Sequence, residues 1–179
     1  MFERADELMI AYQQGDMESL DQLYLLLKGP IYSFVYRYSR DEQLSIDIVQ
    51  DTFIKLQRSK HLYKREKGKI SSYLYQIAYR LMIDKLNRRK KWRSFLPFLT
   101  PSDKEEVDLA DRMSVREAVA ALSEVHRPIV LLFYYHDLTH EEIASVLDIP
   151  KGTVKSRLHY AIKKLKEELG GEENVSRSL

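Results

Sequence analysis

The stretch Asp137-Leu138-Thr139-His140-Glu141-Glu142-Ile143-Ala144-Ser145-Val146-Leu147-Asp148-Ile149-Pro150-Lys151-Gly152-Thr153-Val154-Lys155-Ser156-Arg157-Leu158 has the grammar of two short helices joined by a tight turn. Thr139 followed three residues later by Glu142 is a capping box, which starts a helix with Ile143, Ala144 and Leu147 turned inward. Pro150 suits the first position of the next helix, where its missing N–H would have no intrahelical partner. In that second helix Val154, Leu158, Ala161, Ile162, Leu165 and Leu169 recur on one stripe. The opposite face carries Thr153, Ser156, Tyr160 and Lys163, flanked by Lys155, Arg157, His159 and Lys164. A cationic, donor-rich face on the second helix of such a pair fits a DNA major groove, with side chains near its start on base edges and surrounding cations on phosphates. Lys151, Thr153, Lys155, Ser156, Arg157 and Tyr160 are the expected DNA contacts.

Charge is distributed unevenly along the 179 residues. The formal net charge is +2, yet residues 1–51 carry 4 basic and 10 acidic side chains, and residues 52–93 carry 14 basic and 2 acidic. Residues 94–150 return to 4 basic and 11 acidic, and the remainder is basic again. Two cationic blocks separated by acidic ones suggest two polyanion contacts. In the first block the cations are interleaved with aromatic rings. Tyr63, Tyr73, Tyr75 and Tyr79 stand close in sequence to Lys64, Arg65, Arg80 and Arg88. Rings beside positive charge suit unstacked single-stranded bases, each stack being worth about 1–3 kcal/mol. The same tyrosines serve equally well as core residues of a crowded helix.

Apolar residues recur at helical spacing almost throughout, so the chain reads as all-α. One helix is expected over about 4–14, stopped by Gly15. A second, capped by Asp16, presents Leu20, Leu23, Tyr24 and Leu27 and is expected to bend or break at Gly29-Pro30. Helix resumes at Ile31, and another spans about 43–57 with Val49, Phe53 and Leu56 on its buried stripe. Its other side bears Asp47, Gln50, Asp51 and Lys55, a polar set available to a partner. Residues 58–69 read as an exposed basic loop, followed by a long helix from Ile70 to about Lys91. The prolines and acidic residues after it mark a linker. The resulting organisation is two small helical domains, 1–92 and 112–170, joined by an extended acidic linker over 93–111, with a tail at 171–179.

Composition excludes several chemistries. With no cysteine there is no disulfide, thiolate metal site or cysteine nucleophile. No apolar run reaches the roughly 18 residues of a membrane span, and the opening residues lack the pattern of a secretion signal. A cytoplasmic protein is expected, with no cofactor, no metal and no catalytic site.

Taken together, these blocks resemble the extracytoplasmic-function group of sigma-70-type sigma factors, from about residue 5 to 169. Asp47-Ile48-Val49-Gln50-Asp51-Thr52-Phe53 is similar to the family's region 2.2, and the resemblance implies that Asp47, Gln50 and Asp51 dock on the beta-prime clamp helices of core RNA polymerase. The stretch Tyr73 to Lys90 is similar to the helix that engages the promoter minus-ten element. By the same resemblance the preceding loop, about Ser59 to Lys69, captures a base flipped from the single-stranded non-template strand. This chain departs from the family there, with Tyr73 where tryptophan is common and Arg80 where asparagine is common. His126 to Leu132 together with Gly152 to Leu158 resembles region 4, the reader of double-stranded minus-thirty-five DNA that also meets the polymerase beta flap. An inhibitory anti-sigma factor is a further implied partner.

Two other readings compete. A helix-turn-helix regulator with an N-terminal sensing or dimerisation domain would use the same C-terminal motif. His136-Asp137 and His140 place two histidines at i, i+4, as in some metal-dependent hydrolases, but without the glutamate-bearing zinc signature.

Overall fold

The computed structural model describes residues 2–95 and 114–169 of the chain. Most of the expected linker and the whole tail lie outside these residues. The described residues form eight helices: α1 (Phe2–Gln13), α2 (Met17–Ser39), α3 (Glu42–Arg58), α4 (Ile70–Phe95), α5 (Val115–Ala121), α6 (Arg127–Val130), α7 (His140–Leu147) and α8 (Lys151–Glu168). There is no strand among them, and none of these helices is long and apolar enough to cross a membrane.

Local chemistry sets most of the boundaries. Gly15, at φ 108°, makes the turn after α1. Asp16 caps α2 by accepting from the Glu18 and Ser19 amides at 3.0 and 3.4 Å. Asp41 caps α3 by accepting from the Leu44 amide at 2.8 Å, and its other oxygen takes Arg89 of α4 at 2.5 Å. Those two contacts hold the Asp41 carboxyl below its ordinary range, the Leu44 amide foremost.

The expected interruption at Gly29-Pro30 does not occur, and α2 runs unbroken past Pro30. An interior proline costs a helix on the order of 3 kcal/mol. Leu27, Ile31, Phe34 and Val35 on either side are buried, and each such side chain contributes about 1.5–3 kcal/mol. Tertiary burial therefore outweighs the local penalty.

The C-terminal set follows the expected pair of helices with two adjustments. The Thr139–Glu142 capping box is present, with Glu142 Oε2 accepting from the Thr139 amide at 2.8 Å. Asp148 adopts φ 57° and closes α7 through its N–H to the Ala144 carbonyl. The buried side chains of α7 are Ile143 and Val146, whereas Ala144 and Leu147 are half-buried, so the inward stripe is rotated from the one expected. Pro150 is extended and serves as the N-cap, with α8 starting one residue later at Lys151. In α8, Val154, Leu158, Ala161 and Leu165 are buried, and Ile162 and Leu169 are half-buried.

The N-terminal helices α1 to α4 and the C-terminal helices α5 to α8 are both present, and they pack on each other rather than standing apart. α6 continues into a wide π-type turn over Leu131–Tyr135, which lies against α2 and delivers His136 into the seam. There His136 Nδ1 and the Tyr75 hydroxyl share a hydrogen bond at 2.9 Å. Phe34 meets both rings edge-on, with centroids 5.6 Å from Tyr75 and 5.9 Å from His136. Arg37 lies over the Tyr135 ring at 4.2 Å, and Arg127 lies over Tyr38 at 5.1 Å. Arg127 also donates to the Tyr38 carbonyl at 3.1 Å, and Arg40 to the Arg116 carbonyl at 2.9 Å.

Candidate nucleic-acid interface

The basic loop between α3 and α4 is built of two single 3₁₀ turns, Lys60–Leu62 and Arg65–Lys67. Lys64, Arg65, Lys67 and Lys69 are exposed along it, as expected of a cationic loop. Tyr63 is not: it is 4% exposed, and its hydroxyl donates to Asp6 Oδ1 at 3.0 Å. Burial pushes the Tyr63 phenol well above its ordinary range, assisted by the neighbouring carboxylate.

Under this loop lies a cavity of about 190 Å³, lined by Lys64, Lys67, Lys69, Ser72, Tyr73 and Gln76. That is small against the roughly 300–1,000 Å³ of a pocket for a drug-sized molecule, and it suits a single flat ring. Ser72 is buried, and its hydroxyl has no hydrogen-bond partner. Tyr73, half-buried, lies beside it with its ring 5.9 Å from Tyr63 at a 47° tilt. Lys69, Ser72 and Gln76 were not singled out by spacing alone; only their place beside the basic loop hinted at them.

Among the four tyrosines that sequence places near cations, the structure separates roles. Tyr73 and Tyr63 both line the cavity, and of the two only Tyr73 keeps appreciable exposure. Tyr63 and Tyr75 are buried, the latter 1% exposed, with its phenol pushed well up by burial. Tyr79 is half-buried, and burial raises its pKa while the nearby Arg157 charge opposes the rise. Arg88 is exposed on α4.

α7 borders the cavity. Ser145 lies on its rim and accepts from Gln76 Nε2 through its carbonyl at 2.7 Å. Lys69 pairs with Glu142 at 2.9 Å, and Arg80 with Asp148 at 3.3 Å. Burial works to raise Glu142, but hydrogen bonds from Thr139 and Lys69 hold it below the ordinary carboxylate range. Two cations of the loop and α4 thus face α7 carboxylates in this arrangement.

On α8, Lys155, Ser156 and Tyr160 are exposed and Thr153 and Arg157 half-buried. Lys151 pairs with Glu141, and the Ser156 hydroxyl donates to the Thr153 carbonyl at 3.1 Å. Tyr160 stacks on His126, centroids 4.8 Å apart. Burial lowers the His126 pKa, and the nearby Arg157 charge adds to this.

The polar face of α3 borders an apolar surface. Gln50 lines a groove of about 280 Å³ with Tyr24, Lys28, Tyr32, Ile46 and Val49. Asp47 accepts from Gln43 at 2.9 Å, and Asp51 pairs with Lys85 of α4 at 2.7 Å. Exposed Ile54 extends this surface toward Phe53 and Leu20. The histidine pair of the hydrolase reading faces separate surroundings, His136 against Tyr75 and His140 stacked on Phe133 at 5.3 Å.

Residues 23–93 match the family model for sigma-70 region 2, and residues 118–167 the model for sigma-70 region 4. The ECF RNA polymerase sigma factor SigL of Mycobacterium tuberculosis is 31% identical over 150 residues, spanning 78% of this chain and 84% of that protein. SigW of Bacillus subtilis, also an ECF sigma factor, is 27% identical over 175 residues, 88% of this chain and 92% of its own length. In fold the chain is similar to the sigma factor RpoE of Bartonella quintana, solved with the anti-sigma factor NepR, at a TM-score of 0.70 and 21% identity, covering 86% of this chain and 98% of that one. The chain belongs to the ECF RNA polymerase sigma factors.

Proposed function

We propose that the chain divides promoter recognition between two domains, residues 1–92 and 112–170, and that the cavity beneath the 59–69 loop receives one unstacked base of the minus-ten non-template strand. The observation carrying this reading is a ring-sized cavity with the half-buried Tyr73 on its wall and the exposed Lys64, Lys67 and Lys69 around it. Tyr73 offers the stacking surface, Gln76 offers base-edge hydrogen bonds, and the lysines take the flanking phosphates. Arg80 and Arg88 extend the cationic track along α4. Tyr75, buried against His136, supports this surface from behind, and Tyr63, buried in the cavity wall, shapes it rather than offering a free stacking face.

α8 reads duplex minus-thirty-five DNA through Lys151, Thr153, Lys155, Ser156, Arg157 and Tyr160, with phosphates held by its lysines. Asp47, Gln50 and Asp51, set beside the groove of Tyr24, Ile46 and Val49, anchor the first domain to the clamp helices of core polymerase. A hydrophobic centre with a polar rim is the usual anatomy of such a contact. The chemistry of RNA synthesis belongs to the polymerase, and the chain works in the cytoplasm with it. An anti-sigma factor is the expected inhibitor.

In the closed arrangement Lys69, Gln76 and Arg80 are occupied by α7, so strand capture requires α7 to leave α4. Phosphates compete for the same cations that Glu142 and Asp148 now hold. Core polymerase reconstituted with the purified chain tests the proposal. Start-site mapping on promoter templates should show initiation at defined positions, with binding that falls steeply as salt rises. Association without promoter-specific initiation would defeat it. Loss of strand opening in Lys69→Ala and Tyr73→Ala, with polymerase binding retained, would support the assignment of the cavity.

A further inference from the structure

The basic loop takes its shape from α1, a helix some fifty residues away in sequence. Asp6 is buried at 6% exposure, and its Oδ1 accepts two hydrogen bonds, from the Tyr63 hydroxyl at 3.0 Å and from the Ile70 amide at 2.7 Å. Ile70 is the first residue of α4, so Asp6 performs from a distance the task of an N-capping side chain. Two turns further along α1, Gln13 Nε2 donates to the Lys60 carbonyl at 2.6 Å and to the Tyr63 carbonyl at 3.0 Å. Lys60 reciprocates, with its ammonium 4.5 Å from the Tyr12 ring centre and 3.4 Å from the Tyr12 carbonyl. α1 therefore grips the loop at Lys60 and Tyr63 on one side and at Ile70 on the other. Lys64 to Lys69, whose lysines line the cavity, is the span between the grips.

A buried carboxyl group is costly unless its partners are fixed. Here both partners belong to the cavity's frame: Tyr63 carries the ring beside Tyr73, and Ile70 starts the turn that bears Ser72. We infer that Asp6 and Gln13 are positioning residues for strand capture, fixing the height and register of the basic loop over the base cavity without touching DNA or polymerase. This rests on the proposal that the cavity receives a flipped base.

The test uses holoenzyme assembled from the full chain, either wild type or carrying D6A, D6N, Q13A or Y63F. The probe is a promoter fragment with 2-aminopurine in the minus-ten non-template strand, and affinity for core polymerase is measured in parallel. Removing the two hydrogen bonds from Gln13 to the loop in Q13A, or the one from Tyr63 to Asp6 in Y63F, should reduce the base-flipping signal by about three- to tenfold, with core affinity changed less than about twofold. D6A should lose more, and D6N, which keeps an acceptor oxygen for the Ile70 amide and the Tyr63 hydroxyl, should recover most of the signal. An unchanged signal in Q13A and Y63F overturns the inference. So does a D6A defect that reduces core binding and base flipping in proportion and is not rescued by D6N. Absence of any signal from wild-type holoenzyme that nevertheless starts transcription would instead overturn the cavity assignment on which the inference stands.

Discussion

Acidification should open the seam between the two helical units, and His136 sets the size of the effect. Its imidazole is buried between Phe34 and Tyr75, with Nε2 lacking a partner, and burial foremost lowers its pKa from 6.5 to about 4. The Arg37 charge works in the same direction, and Asp137 opposes it. The closed form therefore binds a proton less readily than an open form with a solvated ring. Closure is at full strength above pH 6.5, weakens as pH falls through the interval from 6.5 to 4, and changes no further below it. Each unit in that interval costs roughly 1.4 kcal/mol, so a shift from pH 7.5 to 5 should cost the closed form about 2 kcal/mol. The absence of cysteine allows dyes to be placed on cysteines introduced at exposed Met17 and Glu168. Energy transfer between them should fall across this interval in the wild type and stay level in His136→Gln, which keeps a polar side chain but cannot titrate. His126 is also lowered by burial, and the His136→Gln control separates its contribution. Equal pH responses in the two proteins, or none in the wild type, would refute the reasoning.

Three further outcomes follow from the geometry. Thr139→Ala removes the capping oxygen that accepts from the Glu142 amide and should destabilise the C-terminal helices by about 1 kcal/mol in thermal melts. Arg157→Ala should weaken binding to an upstream duplex element by roughly 1–3 kcal/mol and relax base preference at one position, as read by competition with mutated duplexes. Gln50→Ala, at an exposed position of the α3 groove, should lower affinity for core polymerase while changing stability by no more than about 0.5 kcal/mol.

What the sequence determined by itself was whatever nearby residues decide among themselves. The Thr139–Glu142 capping box, the inward stripe of α8 and the polar edge of α3 each depend on residues within a few turns, and the expected elements are present there. Pro30 marks the limit of such reasoning: its local cost is legible, but the burial of Leu27, Ile31 and Phe34 that outweighs it comes from packing. The aromatic residues were ambiguous for a deeper reason. A tyrosine beside a lysine has the same sequence signature whether its ring faces a base or a core, and only partners far along the chain decide between them. Asp6 draws Tyr63 into the cavity wall, His136 holds Tyr75, and Tyr73 is left half-exposed at the cavity. The brace from α1 and the contacts made by α7 are likewise pairings across roughly fifty to seventy residues. Hydrogen bonds and ion pairs at such separations have no periodicity to announce them, because they are fixed by where the packed helices bring side chains within about 3 Å, and that is a property of the tertiary structure alone.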